Sequence, residues 1–361
     1  MSNSRIKGKP KKRMSKRTRL FTKVVLIAFL SISLIVIGVF FWGRNIVSPP
    51  TIPTLGFVRV PAEHSSNPNT EYNNKYIWPA PERFTNDDRR DMFFTFLIIG
   101  LNEGVNVNTA MVASYCGITK EASLISIPRD VPVHPTRHGR KLSSSYLVGS
   151  GGDRGAAGGV AQVQRDIMTV IGFIPDFYVV VDYDAFFAII DAVGGIEVYV
   201  PMRMRYTDPC QNLDINIYPG LQYMDSQTAL HFARFRQGGG GYPSPLAGDY
   251  FRIESQQAII NAVISRLLRP ANIRRIPEFV NIFNDSVHTN LTVGNMLWFA
   301  NQLNYIRGTD ALSSYIMPTT GTSGAPMWYE LLDAMAVVEL VNRTINPFFD
   351  DIELRDLNII R

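Results

Sequence analysis

The chain has 361 residues, 46% of them hydrophobic, with 36 Lys and Arg against 31 Asp and Glu. The formal charge of +5 hides an asymmetry: ten cations lie within residues 1–23, and the remainder carries 26 basic and 31 acidic side chains. The bulk of the protein is therefore not a polyanion-coating surface, no nucleic-acid partner is expected, and two cysteines, Cys116 and Cys210, are too few for a disulfide framework.

Residues 1–23 read as a basic cytoplasmic tail. Residues 24–43 follow without one ionisable side chain. At about 1.5 Å per residue they make a helix about 30 Å long, the thickness of a bilayer core. Trp42 suits the far interface, and the charge ahead of the apolar run keeps the N-terminus cytoplasmic. A cleaved signal peptide is the rival reading, but Arg44 to Pro50 offers no small-x-small cleavage site. The expectation is a single-pass anchor in the cell membrane with the main domain extracytoplasmic. Residues 44–90 hold seven prolines and read as an extended, semi-rigid linker.

From Met92 the pattern changes. Residues 92–100 form a continuous apolar run, the sign of a strand buried on both faces. Strands are predicted again at 109–115 and 122–127. Residues 159–171 place Val160, Val163, Ile167 and Val170 on one side of a helix. Residues 176–183 are a β-branched and aromatic strand. Residues 184–193 read as a helix capped by Asp184 and stopped by Gly194 and Gly195. Strands at 195–200 and 213–218 and a helix at 225–232 follow. Residues 248–268 form the longest soluble helix, and the rest to about residue 349 is mostly helical, with a strand near 314–317. Strands alternating with helices predict an α/β sandwich with helices on both sheet faces.

Cations collect at the junctions of these elements. Arg129 closes the third strand, and Lys141 opens the next element. Arg234 and Arg236 lie two apart, which in an extended chain points both the same way with Phe235 opposite. Asp249, Arg252 and Gln256 share one face of the long helix. Singly, each residue also reads as a surface ion pair, a solvated face or a helix cap. Together, on a net-negative domain, the arginines offer forked donors to phosphate oxygens. No zinc-type spacing exists, and Pro135 between His134 and His138 speaks against a metal pair there.

The phrases Ser126-Ile127-Pro128-Arg129-Asp130, Asp176 to Tyr183, Asp191-Ala192-Val193-Gly194-Gly195-Ile196, Ala233-Arg234-Phe235-Arg236 and Gly248-Asp249-Tyr250-Phe251-Arg252-Ile253-Glu254-Ser255-Gln256 resemble the LytR-CpsA-Psr family of cell-envelope proteins. The resemblance implies an α-β-α sandwich with a central mixed sheet. It implies residues 91–320 as a catalytic and lipid-pyrophosphate-binding domain; residues 321–361, which fit the family least, read as a C-terminal helical extension. It further implies a phosphotransferase-type ligase of bacterial cell-wall biogenesis. Such an enzyme takes a glycopolymer (teichoic acid or capsule) from a polyprenyl-pyrophosphate carrier and attaches it to peptidoglycan at the membrane. By position, Arg129, Lys141, Arg234, Arg236, Arg252 and Gln256 match pyrophosphate-binding residues. Asp249 matches an acidic residue near the reaction centre, and is with Arg129 the candidate catalytic residue. Phe187, Ile190, Ile260, Val263, Ile264 and Leu267 are candidates to line a lipid groove, or simply to fill the core.

The pattern breaks in the loop after the first strand. The family's two aspartates and one arginine, which help hold Mg²⁺ and phosphate, fall on Asn102, Asn108 and Asn106. Asn102 and Asn108 are thus metal positions by resemblance that carry no charge. Three readings stay open: a transferase with weak or no metal dependence, a degenerate member that binds the carrier without transfer, and a pyrophosphatase.

Overall fold

The computed structural model describes residues 49–52 and 84–360, except 103–104, 138, 153–156, 212, 237–248, 274, 303–311 and 324–327. The predicted tail, membrane helix and most of the linker lie outside the described residues, as does the glycine-rich stretch before Asp249. Among the described residues no helix is long and apolar enough to cross a membrane.

Strands β1 (Phe93–Leu101), β2 (Val107–Cys116), β3 (Ala122–Ile127) and β4 (Phe177–Val181) start a six-stranded mixed sheet. Strands β5 (Ile196–Val200), β6 (Met204–Asp208), β7 (Leu213–Ile217) and β8 (Gly220–Met224) form two ribbons, β5 with β8 and β6 with β7. Strands β9 (His288–Thr289) and β10 (Leu312–Ile316) return to the sheet, and β11 (Thr319–Ser323) pairs with β12 (Tyr329–Leu332) as a hairpin. The sheet order is β10-β3-β2-β1-β4-β9. Its β1–β4 and β3–β10 pairs are parallel, the other three antiparallel. The helices are α1 (Ser145–Ser150), α2 (Ala157–Ile171), α3 (Tyr183–Ala192), α4 (Ser226–Arg234), α5 (Asp249–Leu267), α6 (Pro270–Ile273), α7 (Ile276–Ser286), α8 (Val293–Gln302) and α9 (Ala334–Thr344).

The two faces of β1 explain its continuous apolar run. Leu97, Ile99 and Leu101 pack with Val112 and Ile125 against Val163 and Ile167 of α2 and Val337 and Val341 of α9. On the opposite face, Phe94 and Phe96 enter an aromatic cluster with Phe177, Trp298 and Phe299. Its rings meet edge to face, Phe94 with Trp298 at 5.4 Å and Phe96 with Phe299 at 4.9 Å. Farther along that face Ile98 and Gly100 line a cavity. A second core of Ile190, Val198, Ile215, Phe232, Phe251 and Ile259 joins α3, α4 and α5 to the two ribbons.

Several expectations change. The cap of α3 is Asp182, whose carboxylate accepts from the Ala185 N–H at 2.9 Å, not Asp184. Arg234 is the last residue of α4 rather than part of an extended chain, and only Phe235 after it is extended. Strands β6, β8 and β9 and the β11–β12 hairpin were not predicted; β11 reads Thr-Thr-Gly-Thr-Ser and carries no apolar alternation. Residues 321–361 are not a helical extension set apart from the domain: β12 and α9 lie there, and Leu332, Val337, Val341 and Ile352 belong to the main core.

The chain ahead of β1 is tied in by a bridge between Arg89 and Phe348 and by a buried ion pair. The Asp176 carboxylate accepts from Arg89 Nη2, the Thr95 N–H and the Thr95 hydroxyl, each at 2.8 Å. Burial pushes the Asp176 carboxyl up from its ordinary value, while Arg89 and Thr95 pull it back. The Arg89 guanidinium also stands 5.8 Å from the Phe348 ring. Replacing Arg89 by alanine leaves a buried carboxylate without its counter-charge and lowers unfolding free energy by about 3–5 kcal/mol. Without Arg89 the folded pKa of Asp176 rises further above the unfolded one. The loss measured by urea unfolding is therefore smaller at about pH 5 than at about pH 8.

Candidate functional site

A cavity of about 750 Å³ lies between the β1–β2 face and the second core. One part of its wall is apolar: Ile98 and Met111 from the sheet, Phe186, Ile189 and Ile190 from α3, and Ile260, Val263 and Ile264 from α5. The other part is polar and basic, with Asn102, Asn108, Arg129, Arg234, Arg236, Arg252 and Gln256. A single pocket with an apolar wall and a cationic end suits an amphiphile with an anionic head.

The basic end is organised by a β-bulge. Gly100 pairs with Thr109 and Leu101 with Val107, so Asn108 has no partner across the ladder. The approach of the strands is close: a Cβ on Gly100 would come 2.9 Å from the Thr109 Cβ. Arg129 Nη1 donates to the Asn108 side-chain oxygen at 2.7 Å. Arg252 Nη2 donates to the Asn108 carbonyl at 3.3 Å. Two guanidinium groups from the exit of β3 and the first turn of α5 thus converge on one residue. Arg234 stands 5.5 Å from the Tyr183 ring, and Arg234 and Arg236 both reach the cavity although α4 ends between them. Buried Phe235 takes the opposite side. Burial, and then the neighbouring Arg234, hold the His231 imidazole below its ordinary value, so it adds no further cation at neutral pH.

The loop between β1 and β2 is closed on itself. The Asn102 side-chain oxygen accepts from the Asn106 N–H at 2.9 Å, and the Asn102 N–H donates to the Asn106 carbonyl at 3.1 Å. Val105 sits at φ 55°, a left-handed conformation that a β-branched residue adopts only under constraint from its surroundings. These residues do not fit Mg²⁺. That ion is held by carboxylates together with substrate oxygens. Here the two candidate ligands are neutral amide oxygens, one engaged by the loop and the other facing a guanidinium. Among the described residues no group of three or more His, Cys, Asp or Glu comes together to hold a metal. Asp182, which also lines the cavity, is engaged in capping α3.

The remaining predicted residues divide. Lys141 is not on the cavity wall: its ammonium pairs with Asp130 at 2.8 Å and lies 5.7 Å from the Tyr329 ring. Phe187 is not on the wall either, and its neighbour Phe186 is. Leu267 packs against the second core instead. Asp249 is the first residue of α5, and its side chain lies outside what the structure describes. Cys116 and Cys210 are unpaired, and Cys210 lies on the cavity wall. The sequence reading missed Ile98, Met111, Tyr206 and Leu213. Ile98 and Met111 share sheet faces with predicted positions, so strand alternation could have found them.

The profile of the LytR_cpsA_psr family matches residues 64–345. The chain belongs to the LytR-CpsA-Psr family. Regulatory protein MsrR of Staphylococcus aureus is 24% identical over 262 residues, 71% of this chain and 74% of MsrR. TagV of Bacillus subtilis, a polyisoprenyl-teichoic acid–peptidoglycan teichoic acid transferase, is 28% identical over 179 residues, 48% of this chain and 42% of TagV. The crystal structure of TagV superposes with a TM-score of 0.57 at 21% identity, covering 70% of this chain and 96% of that one. A structure of TagT bound to LI-WTA gives 0.54 at 17% identity, covering 70% and 89%. These structures share the fold. In this LytR-CpsA-Psr member the expected outcome of replacing Arg234 and Arg236 by alanine is a loss of affinity for an added anion, inorganic pyrophosphate as the probe, of about 1.5–3 kcal/mol for each charge-assisted bond removed. Isothermal titration checks this, with the urea midpoint unchanged.

Proposed function

We propose that this chain is a membrane-anchored transferase that moves a glycopolymer from a polyprenyl-pyrophosphate carrier to peptidoglycan. The observation that carries this reading is the cavity with arginines at one end and aliphatic side chains along the rest. Its basic end suits a pyrophosphate and its apolar wall suits a polyprenyl chain. Family membership, the name of TagV and the ligand of TagT support the same reading. The apolar segment 24–43 would hold the domain beside the membrane in which such a carrier resides.

In the proposed reaction an acceptor sugar hydroxyl attacks the phosphorus beside the glycopolymer. A new P–O bond forms and the bridging P–O bond of the pyrophosphate breaks. The electron pair leaves on the polyprenyl phosphate, and the hydroxyl proton passes to a carboxylate, for which Asp249 is the candidate. Arg129, Arg234, Arg236 and Arg252 stabilise the charge that grows on the leaving group, and Gln256 adds a polar side chain one turn after Arg252. The Asn102–Asn108 loop supports a reaction in which arginines alone supply the positive charge, without Mg²⁺. The same neutral loop supports a second reading, a carrier-binding member without turnover.

Transfer of labelled glycan from the lipid carrier to peptidoglycan, measured with and without EDTA, separates these readings. The transferase reading expects transfer that EDTA leaves within about threefold, less than 1 kcal/mol of barrier. In Asn108→Asp, which restores a carboxylate, a Mg²⁺ dependence should appear. A steep Mg²⁺ requirement in the wild type overturns the metal-free reading. Carrier binding with no transfer under any condition selects the second reading, and phosphate release without transfer selects a pyrophosphatase.

Val263 offers a separate test of the apolar wall. Val263→Trp fills the cavity and should weaken binding of the polyprenyl-pyrophosphate carrier by about tenfold or more. Affinity for inorganic pyrophosphate should not change.

A further inference from the structure

The β11–β12 hairpin is fastened to two of the elements that deliver arginines to the cavity, the exit of β3 and the start of α5. On the β3 side, the Glu330 N–H donates to the Asp130 carbonyl, next to Arg129, at 3.2 Å. The Asp130 carboxylate holds Lys141 at 2.8 Å, and that ammonium lies 5.7 Å from the Tyr329 ring. On the α5 side, Tyr250 and Thr319 share a 2.6 Å hydrogen bond between their hydroxyls, two residues before Arg252. The hairpin therefore borders the arginine end of the cavity. Lys141, which left the cavity wall, here becomes part of the hairpin's attachment.

The outward surface of this hairpin has a particular chemistry. Trp328 is 67% exposed and Tyr250 40% exposed. Thr320 and Thr322 of β11 are exposed, and Thr322 lies directly across from Glu330, two residues after Trp328. An exposed indole next to hydroxyls suits a sugar ring, which offers an apolar C–H face for stacking and hydroxyls at its rim. A bilayer is the poorer occupant, because β11 is polar throughout and Leu332 of β12 is turned into the main core. Of the other exposed aromatics, Tyr218 follows β7, Phe349 follows α9, and Tyr199 and Tyr223 are on the β5–β8 ribbon. That ribbon follows Gly194, which Arg266 contacts near the far end of α5, about 24 Å of helix from Tyr250.

We propose that the outer face of the β11–β12 hairpin, with Trp328 and Tyr250, is the subsite for the acceptor glycan strand. This rests on the transferase reading, which needs a hydroxyl nucleophile held at bonding reach of a phosphorus at the arginine end. Trp328 stacks on a sugar of the acceptor. Tyr250 and Thr319 set the hairpin's distance from Arg252. The carrier and the acceptor then approach the arginines from different sides, and neither must leave for the other to bind.

The test uses the full chain in detergent micelles and soluble glycan-strand fragments of peptidoglycan. Trp328→Ala should raise the dissociation constant for the fragments, and the acceptor KM in transfer, by about tenfold. Affinity for inorganic pyrophosphate and the thermal midpoint should stay unchanged. Tyr250→Phe, which removes only the hydroxyl bonded to Thr319, should raise the acceptor KM while leaving fragment stacking on Trp328 intact. Unchanged fragment affinity and acceptor KM in Trp328→Ala overturn the subsite, even if the wild type transfers. Fragment binding that Trp328→Ala abolishes, in a wild type that never transfers, retains the subsite and overturns the transferase reading instead.

Discussion

At Asn108, β2 slips by one residue against β1, and the basic end of the cavity is built around that slip. In a regular ladder the Asn108 carbonyl would be spent on the neighbouring strand. The bulge releases it, and Arg252 takes it, while Arg129 takes the side-chain oxygen of the same residue. Two arginines far apart in sequence thereby acquire a common reference point. The strand geometry that permits this needs no side chain at Gly100, where Thr109 comes close. A residue with a Cβ there would have to push β2 away, and both guanidinium groups would lose their anchor.

The secondary structure around this point adds to its field. Arg252 and Gln256 lie in the first turns of α5, whose N-terminus carries the partial positive charge of the helix dipole. Arg234 ends α4, where the dipole favours a cation and so helps keep the guanidinium in place. The apolar wall matters to the same electrostatics. Where water is excluded by Ile260, Val263 and the α3 side chains, attraction between guanidinium and phosphate is screened less than in bulk solvent. Arginine suits such a place better than lysine because its charge is spread and its donors are set in a plane.

Much of this was legible in the sequence. The apolar run of β1 and the helical spacing of α2 announced the main core, because burial leaves a periodic trace. The arginines stood out as charges at element ends. Other features left no such trace. Strand β11 is polar and partly exposed, so nothing in its composition marks a strand. Phe186 and Phe187 are equally apolar neighbours about 100° apart around a helix, and only the packing of α3 decides which faces the cavity. Lys141 looked equivalent to the arginines, but Asp130, eleven residues earlier, draws it to the hairpin. The neutral amides at 102 and 108 were visible as residues. That one of them faces a guanidinium, where a metal ligand would need a free oxygen, required the fold.

Charge balance links the amide loop to the arginines. Four guanidinium groups reach the cavity, and Asp182, the carboxylate described on its wall, is turned to the start of α3. Outside the wall, the Asp130 carboxylate stands 4.0 Å from Arg129 Nε. Carboxylates at positions 102 and 108 would cancel part of that positive field, and a Mg²⁺ ion would be needed to restore it. Neutral amides avoid both effects. They orient Arg129 through a carbonyl dipole without adding a negative charge beside it. Neutral amides at 102 and 108 and arginines gathered at the bulge are compatible parts of one arrangement, the one that the proposed metal-free reaction requires.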